Sequence, residues 1–349
     1  MTSDLCSYLK SIIQPLTGKR VSHVSNHKDF CSALKPLTIA QNHVMVSYDV
    51  KDLFTSIPMA HTLSTLQRLL DSDSTLHQRT SLNPFHIVKL VSFCMNEGNY
   101  FRFLDMFYAK TNGAPMGSSL SPVLAEVFME EFEEMAFNND CCPVTTILFK
   151  RYVDDCFAIL EEGDEITLLQ HLNSIFPGKI MLTMEKEENN GLPFLDVMVR
   201  REESKLTTMV YRKPTHSDRY LHFTSHHPLS VKRGIAIGMI DRALAICDPK
   251  HLGSELNHIA KALKLNGYPI SLVKSITQQR LQKTRTERIA PHTECPVVTL
   301  PYFRGIGERI KRLGLLHDFR VFFKSSPNLR ALTRTDKIKG PPEETPEIS

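Results

Sequence analysis

Apolar and polar residues follow a strand-like pattern most clearly in two places. HVMVSYDV (43–50) predicts a buried strand that carries Asp49 near its end. In KRYVDDCFAIL (150–160), Asp154 and Asp155 lie between two groups of strand formers. Ile147, Phe149, Tyr152 and Val153 precede them and Phe157 and Ile159 follow, which predicts strand–turn–strand with both aspartates at the turn. The intervening sequence has helical spacing. DLCSYLKSIIQPL predicts a helix, followed by polar connecting segments up to residue 43. Pro58 is placed to open a helix. Residues 59–70 and 84–96 then carry Leu63, Leu66, Leu69 and Leu70, and Phe85, Val88 and Val91, at helical intervals. NYFRFLDMFYA suits extended or hairpin structure.

Gly113, Ala114, Gly117, Ser118 and Ser119 form a run of small residues that a ligand could approach closely. A helix follows, with Ser121 as N-cap and Pro122 in its first turn. Val123, Leu124, Val127, Phe128, Phe132 and Met135 define its core face, and Glu126, Glu130, Glu133 and Glu134 fall on the others. Another helix is expected over 164–176, and a hairpin from GLPFLDV to YRKP with its turn near Glu202–Ser204. Beyond about residue 210 the pattern is helical and basic. SVKRGIAIGMIDRALAIC, SELNHIAKALKLNGYP (stopped by Gly267 and Pro269) and SLVKSITQQRLQKTRTER are three helix candidates. VVTLPYFRGIGERIKRLGLLHDFRVFF reads as strand–helix–strand, and GPPEETPEIS as a disordered tail.

Charge divides the chain. Residues 1–199 hold 15 Lys+Arg against 24 Asp+Glu, whereas residues 200–339 hold 27 against 11. An acidic half followed by a basic half points to a nucleic-acid partner for the second, with a solvated basic surface as the competing explanation. The eight cysteines include no CxxC pair, so neither a zinc site nor a disulfide framework is expected. His222, His226 and His227 in HFTSHHP lack cysteine or carboxylate partners at metal-binding spacings. No apolar run approaches the length of a membrane span.

If the strands carrying Asp49 and Asp154–Asp155 are neighbours, three carboxylates meet at one end of a sheet. Such a charge needs a counter-charge, and magnesium, a hard cation that keeps phosphates and water among its ligands, supplies one. Two such ions can clamp the attacking and leaving oxygens of a phosphoryl transfer. A polar hairpin turn is the plain alternative for Asp-Asp alone.

Three features favour the chemical reading. YVDD is the hairpin signature of reverse transcriptases. YDVKDLF resembles their first metal-binding strand, with a bulky residue, Phe54, five positions after the aspartate. The glycine-containing loop and helix lie between these motifs, and the basic half follows them. SYDVKDLFTSIP, GAPMGSSLSP, RYVDDCFAI, LPFLDVMVRR and VYRKPTHSDRYLHFTSHHP resemble the reverse transcriptases of Penelope-like retroelements. The similarity continues through NGYP and LPYFRGIGERIKRL and so spans nearly the whole chain.

The resemblance implies an α+β fold: a right-hand polymerase palm related to the telomerase catalytic subunit, in which helices pack on an antiparallel sheet. A mainly helical basic thumb and a small C-terminal strand–helix–strand unit would follow. The expected divisions are 1–42 (partial fingers or connecting segment), 43–209 (palm), 210–290 (thumb), 291–339 (connector) and 340–349 (tail). The activity implied is RNA-directed DNA synthesis with two magnesium ions (manganese as a substitute), an RNA template, a DNA primer and deoxynucleoside triphosphates. No membrane and no protein partner is implied, and an intracellular, nuclear location rests on the family.

By matched position, Asp49 and Asp154 would bind both ions, with Asp155 assisting and the Val50 carbonyl as a further ligand. Phe54 would exclude a ribose 2′-hydroxyl. Ala114 to Ser119, including Met116 and Gly117, would line the nucleotide pocket. Tyr152 would pack near the primer terminus, and LPFLDV (192–197) would form the hairpin that grips the primer. Tyr211, Arg212, Lys213, Arg219, Lys232 and Arg233 would contact phosphates. Lys186 is a candidate proton donor to pyrophosphate, with an ordinary surface lysine as the alternative.

Two departures from the family bear on activity. Only 48 residues precede Asp49, with Lys10, Lys19, Arg20, Lys28 and Lys35 as the cations available to a triphosphate, so the fingers are expected to be incomplete. The GIY-YIG endonuclease that many members carry is expected to be absent. Smaller departures are Lys110, where the family suggests glutamine, and Ser119, where it suggests proline. A truncated element with an intact palm is the expectation. An inactive nucleic-acid-binding remnant is its main alternative, and a protein-interaction scaffold is a third.

Overall fold

The N-terminal helix forms because Leu9, Ile12 and Ile13 fall on one face and are fully buried there; α1 spans Thr2–Ile13. The computed structural model describes residues 2–97, 100–109, 112–137, 142–282 and 295–324. Lys110, the end of the third basic helix candidate beyond residue 282 and the tail at 340–349 lie outside the described residues. The polar connection expected before residue 43 contains a second helix, α2 (His27–Leu34), which Asn26 caps by accepting from the Lys28 and Asp29 N–H groups. The order continues β1 (His43–Val50), α3 (Leu53–Ser56), α4 (Met59–Asp71), α5 (Pro84–Ser92), β2 (Tyr100–Phe103), β3 (Met106–Ala109) and α6 (Ser121–Ala136). Next come β4 (Leu148–Tyr152), β5 (Asp155–Glu161), α7 (Asp164–Ile175), β6 (Leu182–Lys186), β7 (Gly191–Phe194), β8 (Val197–Glu202) and β9 (Lys205–Val210). The chain ends in α8 (Leu229–Ile246), α9 (Pro249–Leu265), α10 (Ile270–Gln282), β10 (Val297–Pro301), α11 (Ile306–Leu316) and β11 (Arg320–Lys324).

Pro58 opens α4 as expected, from its N-cap position. Two local expectations shift. Leu120 occupies the N-cap of α6, and the Ser121 hydroxyl donates to the Pro115 carbonyl (2.6 Å) instead of capping. GLPFLDV is not one arm of a single hairpin. It turns at Leu195–Asp196, so β7, β8 and β9 form a three-stranded antiparallel sheet.

The main sheet is antiparallel, in the order β4-β5-β1-β6. Alternation along its two central strands separates two cores. Val44, Val46, Tyr48 and Val50 of β1, with Cys156, Ala158 and Leu160 of β5, face the larger core, shared with α1 and α4–α7. Met45, Phe157 and Ile159 face the other way and pack on Phe30 of α2 and on Phe194 and Val197 of the smaller sheet. Phe30, Phe157 and Phe194 meet with ring centroids 4.6 to 5.6 Å apart.

The chain folds as two compact units, Met1–His216 with Ala243–Gly253 and Ser217–Arg242 with Ser254–Ser349. In the second, Asp241 receives two bonds from Arg280, and the Asn266 side chain holds the Tyr220 N–H and the Asp218 carbonyl. The predicted strand–helix–strand is present there, with β10 and β11 paired in parallel across α11.

In the first unit the small-residue loop docks on the chain just after β1. The Ala114 N–H donates to the Phe54 carbonyl (2.6 Å), and a Cβ on Gly113 would lie 2.4 Å from that oxygen and 2.5 Å from the Thr55 oxygen. Gly113 also has φ +68°, whereas a Cβ on Gly117 (φ +96°) would meet nothing within 4 Å. Gly113→Ala is therefore expected to lose clearly more stability in urea denaturation than Gly117→Ala. The latter should lose only the backbone cost, about 1–2 kcal/mol.

Candidate active site

Asp49 and Asp155 are direct cross-strand partners, and Thr183 lies opposite Asp49 on its other side. With a side-chain period of two, all three share a face of the sheet, the one whose far end is covered by the smaller core. Asp154 occupies the two-residue turn between β4 and β5, and the Val50 N–H donates to its carbonyl (3.4 Å). Asp49 is exposed, and Asp154 and Asp155 are half-buried. Burial, then the charges of Asp154 and Asp49, push the Asp155 carboxyl up to about 6. Burial, Asp154 and Glu185 also raise Asp49, while Lys213 pulls both carboxyls down. The carboxylates thus repel one another, and one lysine opposes that repulsion.

An all-carboxylate donor set with unbalanced negative charge fits a hard divalent cation. The expected convergence is nevertheless looser than a finished metal site. Among the described residues, no three His, Cys, Asp or Glu side chains are gathered to hold an ion. Paired strands fix where the aspartate backbones lie, and their like charges oppose a closer gathering of the side chains without a cation.

The turn is held from beneath. Val153 has φ +55°, a left-handed conformation that a β-branched residue adopts at a cost. Arg151 offsets that cost: its Nη1 donates to the Val153 carbonyl (2.9 Å) and to Glu126 (3.0 Å), and its Nε donates to Glu133. The Arg151 side chain is wholly buried, and burial disfavours its charge, but Glu133 and Glu126 outweigh that and raise its pKa. Glu126 and Glu133 are two turns apart on α6, so one helix face grips the guanidinium. The N-terminal segment completes the clasp. Ser22 and Val24 bond the Arg151 backbone (2.8 and 3.0 Å), and the Ser22 hydroxyl donates to Glu133. Gly18 donates to Glu130 (2.6 Å) and Arg20 pairs with Glu134 (2.6 Å). Three of the four α6 glutamates assigned above to non-core faces, Glu130, Glu133 and Glu134, thus bind residues 18–22, and Glu126 holds Arg151. Arg20, one of the cations expected to be available to a triphosphate, is engaged.

The other site candidates fall into three groups. Phe54 is half-buried against the larger core, one residue into α3, and Tyr152, paired with Asp155, is 38% exposed. Met116 is exposed and Gly117 open, but Ala114 is fully buried, so its side chain belongs to the core and does not line a pocket. Val50 is buried, with only its backbone near the turn. Lys186 points to the opposite face from Asp49 and forms an ion pair with Glu165, which raises its pKa. That removes it as a proton donor and favours the structural alternative. Tyr211 and Arg212 are half-buried and Lys213 is exposed, all in the first unit. Arg219, Lys232 and Arg233 belong to the second, where Lys232 is buried and donates to the Ser225 carbonyl (2.7 Å). Two contributors are not among the site residues expected from the sequence. Arg151 read as a strand residue and Glu133 as surface, although the i, i+7 glutamates beside an apolar helix face were a clue.

A four-stranded antiparallel sheet backed by helices, with carboxylates where β1 meets the β4–β5 turn, is the arrangement expected for the palm of a right-hand nucleic-acid polymerase. Residues 3–178 match the family described as Reverse transcriptase (RNA-dependent DNA polymerase), and residues 219–278 match the Animal helix-turn-helix domain. The first match covers half of the chain, and the chain belongs to the reverse transcriptase family. Among solved structures it is similar to telomerase from Candida albicans in complex with a TWJ fragment of telomeric RNA (12% identity, TM-score 0.49, 78% of this chain and 48% of that one). Apo telomerase from Candida tropicalis (11%, 0.46, 80% and 50%) and the Sicinivirus 3Dpol RNA-dependent RNA polymerase (12%, 0.41, 72% and 54%) are also similar. The chain spans about half the length of these structures. No curated protein matches it.

Replacing Arg151 by methionine leaves buried Glu133 and half-buried Glu126 without their cation and frees the turn. Arg151→Met should lower unfolding stability by about 3–5 kcal/mol, seen as a reduced urea midpoint. The raised Asp155 pKa gives a pH signature. A folded pKa above the unfolded value favours the fold while the group is protonated, and that contribution is lost as pH rises from about 4 through about 6. In EDTA, Asp155→Asn should therefore melt higher than the parent at pH 7, with the difference vanishing towards pH 4.

Proposed function

We propose that this chain is the RNA-directed DNA polymerase module of a Penelope-like retroelement, adding deoxynucleotides to a primer 3′ end on an RNA template. The observation that carries this reading is the pairing of Asp49 with Asp155 beside Asp154 in a reverse-transcriptase-family sequence. Their charge is opposed by Lys213 alone among the cations that act on Asp49 and Asp155. Asp49 and Asp154 would hold two magnesium or manganese ions, assisted by Asp155 and the Val50 carbonyl. Such ions, when bound, neutralise the triphosphate and acidify the primer hydroxyl.

The chain's own residues position the reactants. The primer 3′-oxygen bonds to the α-phosphorus, the α–β phosphoanhydride breaks, pyrophosphate leaves and the hydroxyl proton passes to solvent. Phe54 acts as the steric gate against a 2′-hydroxyl. Its backbone carbonyl accepts from the Ala114 N–H, which anchors the residue at the start of α3. Exposed Met116 and open Gly117 meet the nucleotide, Tyr152 meets the primer terminus beside Asp155, and Lys213, whose charge acts on Asp49 and Asp155, meets the phosphates. Residues 43–209 act as palm and the basic helical region from 210 as thumb. The helix-turn-helix match at 219–278 is compatible with Arg219, Lys232 and Arg233 following a phosphate backbone. The connector and a nuclear location follow from the Penelope-like assignment.

Primer extension tests this directly. With an RNA template, a DNA primer and deoxynucleotides, the chain should extend in magnesium or manganese, and Asp154→Ala should abolish extension. Phe54→Ala should shift selectivity towards ribonucleotides by about tenfold or more. A folded chain that binds the hybrid yet never extends it would support the inactive-remnant alternative instead.

A further inference from the structure

The second unit concentrates positive charge as the first concentrates negative charge. A cavity of about 780 Å³ lies between the segment leading into α8 and the start of α11. Lys232, Arg304, Arg309 and Arg312 line it, with Glu308 as the carboxylate in the lining. Glu308 is already engaged: it accepts from the Tyr302 hydroxyl (2.5 Å) and the Gly305 N–H (2.8 Å). Arg309 and Arg312 have no ion-pair partner among the described residues. Burial and nearby Arg304 hold the Lys232 ammonium below its ordinary pKa. Cations held together without matching carboxylates leave room for an anion of several charges.

The walls are aromatic as well as basic. Phe223 and Tyr302 line the cavity, with the Lys232 ammonium 5.3 Å from the Phe223 ring centre. A second cavity, about 700 Å³, shares His226, His227 and Tyr302 and adds Lys311 and Lys324. Two adjacent recesses with a common wall of rings and cations on both sides suit successive nucleotides with unstacked bases. A duplex presents its phosphates on a convex surface and keeps its bases inside, so concave aromatic walls give it no added contact.

We propose that these adjoining cavities bind single-stranded nucleic acid, with phosphodiesters on Arg304, Arg309, Arg312 and Lys232 and bases against Phe223 and Tyr302. This extends the nucleic-acid part of the proposed function and does not require the carboxylates to catalyse. A template or displaced strand beyond the copied duplex has this chemistry.

The test is fluorescence anisotropy of the full chain with a labelled 12-nucleotide single strand across a salt series. Arg309 and Arg312 are exposed, so Arg309→Ala/Arg312→Ala should fold as the parent does. Binding should weaken roughly tenfold or more near 0.1 M salt, and the slope of log affinity against log salt should fall by about 1.4. The control Lys261→Ala/Lys264→Ala removes equal charge from exposed positions on α9 outside the cavity and should change binding little. The parent chain should bind the strand in EDTA as it does in magnesium, which separates this result from any failure of polymerase activity. Equal losses in both double variants would overturn the proposal by reducing the effect to general surface charge. So would displacement by ATP or inorganic tripolyphosphate as effective as by unlabelled strand, which would assign the cavity to a free polyphosphate. Equally tight duplex binding with the same dependence on Arg309 and Arg312 would also overturn it.

Discussion

Everything near the paired aspartates depends on one buried guanidinium. Arg151 joins the carbonyl of a left-handed valine to two carboxylates on α6, and the segment at 18–24 closes over the same residues. A buried arginine is stable only when its charge is met, and Glu133, Glu126 and the Val153 carbonyl, which take its Nε and Nη1, are therefore fixed as a set. That set ties helix, turn and N-terminal segment into one unit directly beneath Asp154. The acidic turn is therefore supported by a charge of opposite sign that solvent does not reach.

A second constraint is geometric. Strand alternation assigns Val44, Val46, Tyr48 and Val50 to one core and leaves Met45, Ser47 and Asp49 on the other face. The smaller core covers only the Met45 end of that face, so Asp49 and Asp155 emerge where the cover stops. The loop at Gly113 acts similarly on the neighbouring backbone. Its close approach to Phe54 and Thr55 leaves no room for a side chain and fixes the start of α3. The small residues of that loop thus serve two ends: Gly113 and Ala114 pack against protein, and Gly117 remains open.

The two compact units gather charge of opposite sign for different ends. Asp49 and Asp155, opposed by Lys213 and set beside Asp154, create a demand for cations, and the arginines around Tyr302 create a demand for anions. Under the proposed function both demands are met by one polyanionic substrate, whose reacting phosphates have to be neutralised locally.

Much of this was legible in the sequence. Strand β1 was read with its bounds, and the turn at Asp154, the helices after residue 58 and the final strand–helix–strand were legible because hydrophobic period and turn chemistry are local properties. The order of YDVKDLF, the glycine loop and YVDD points to the family from the sequence alone. Other features were not legible because they depend on distant partners. Helix α2 is short and polar in mean composition, and it forms because Phe30 inserts between Phe157 and Phe194. Glu133 looked like a solvent-facing glutamate, and Lys186 like a candidate acid, until Arg151 and Glu165 were placed beside them. The sequence by itself determined which residues could do chemistry and which face of each element was apolar. The tertiary structure alone decided which charges meet, because an ion pair between residues far apart in the chain leaves no period in the sequence.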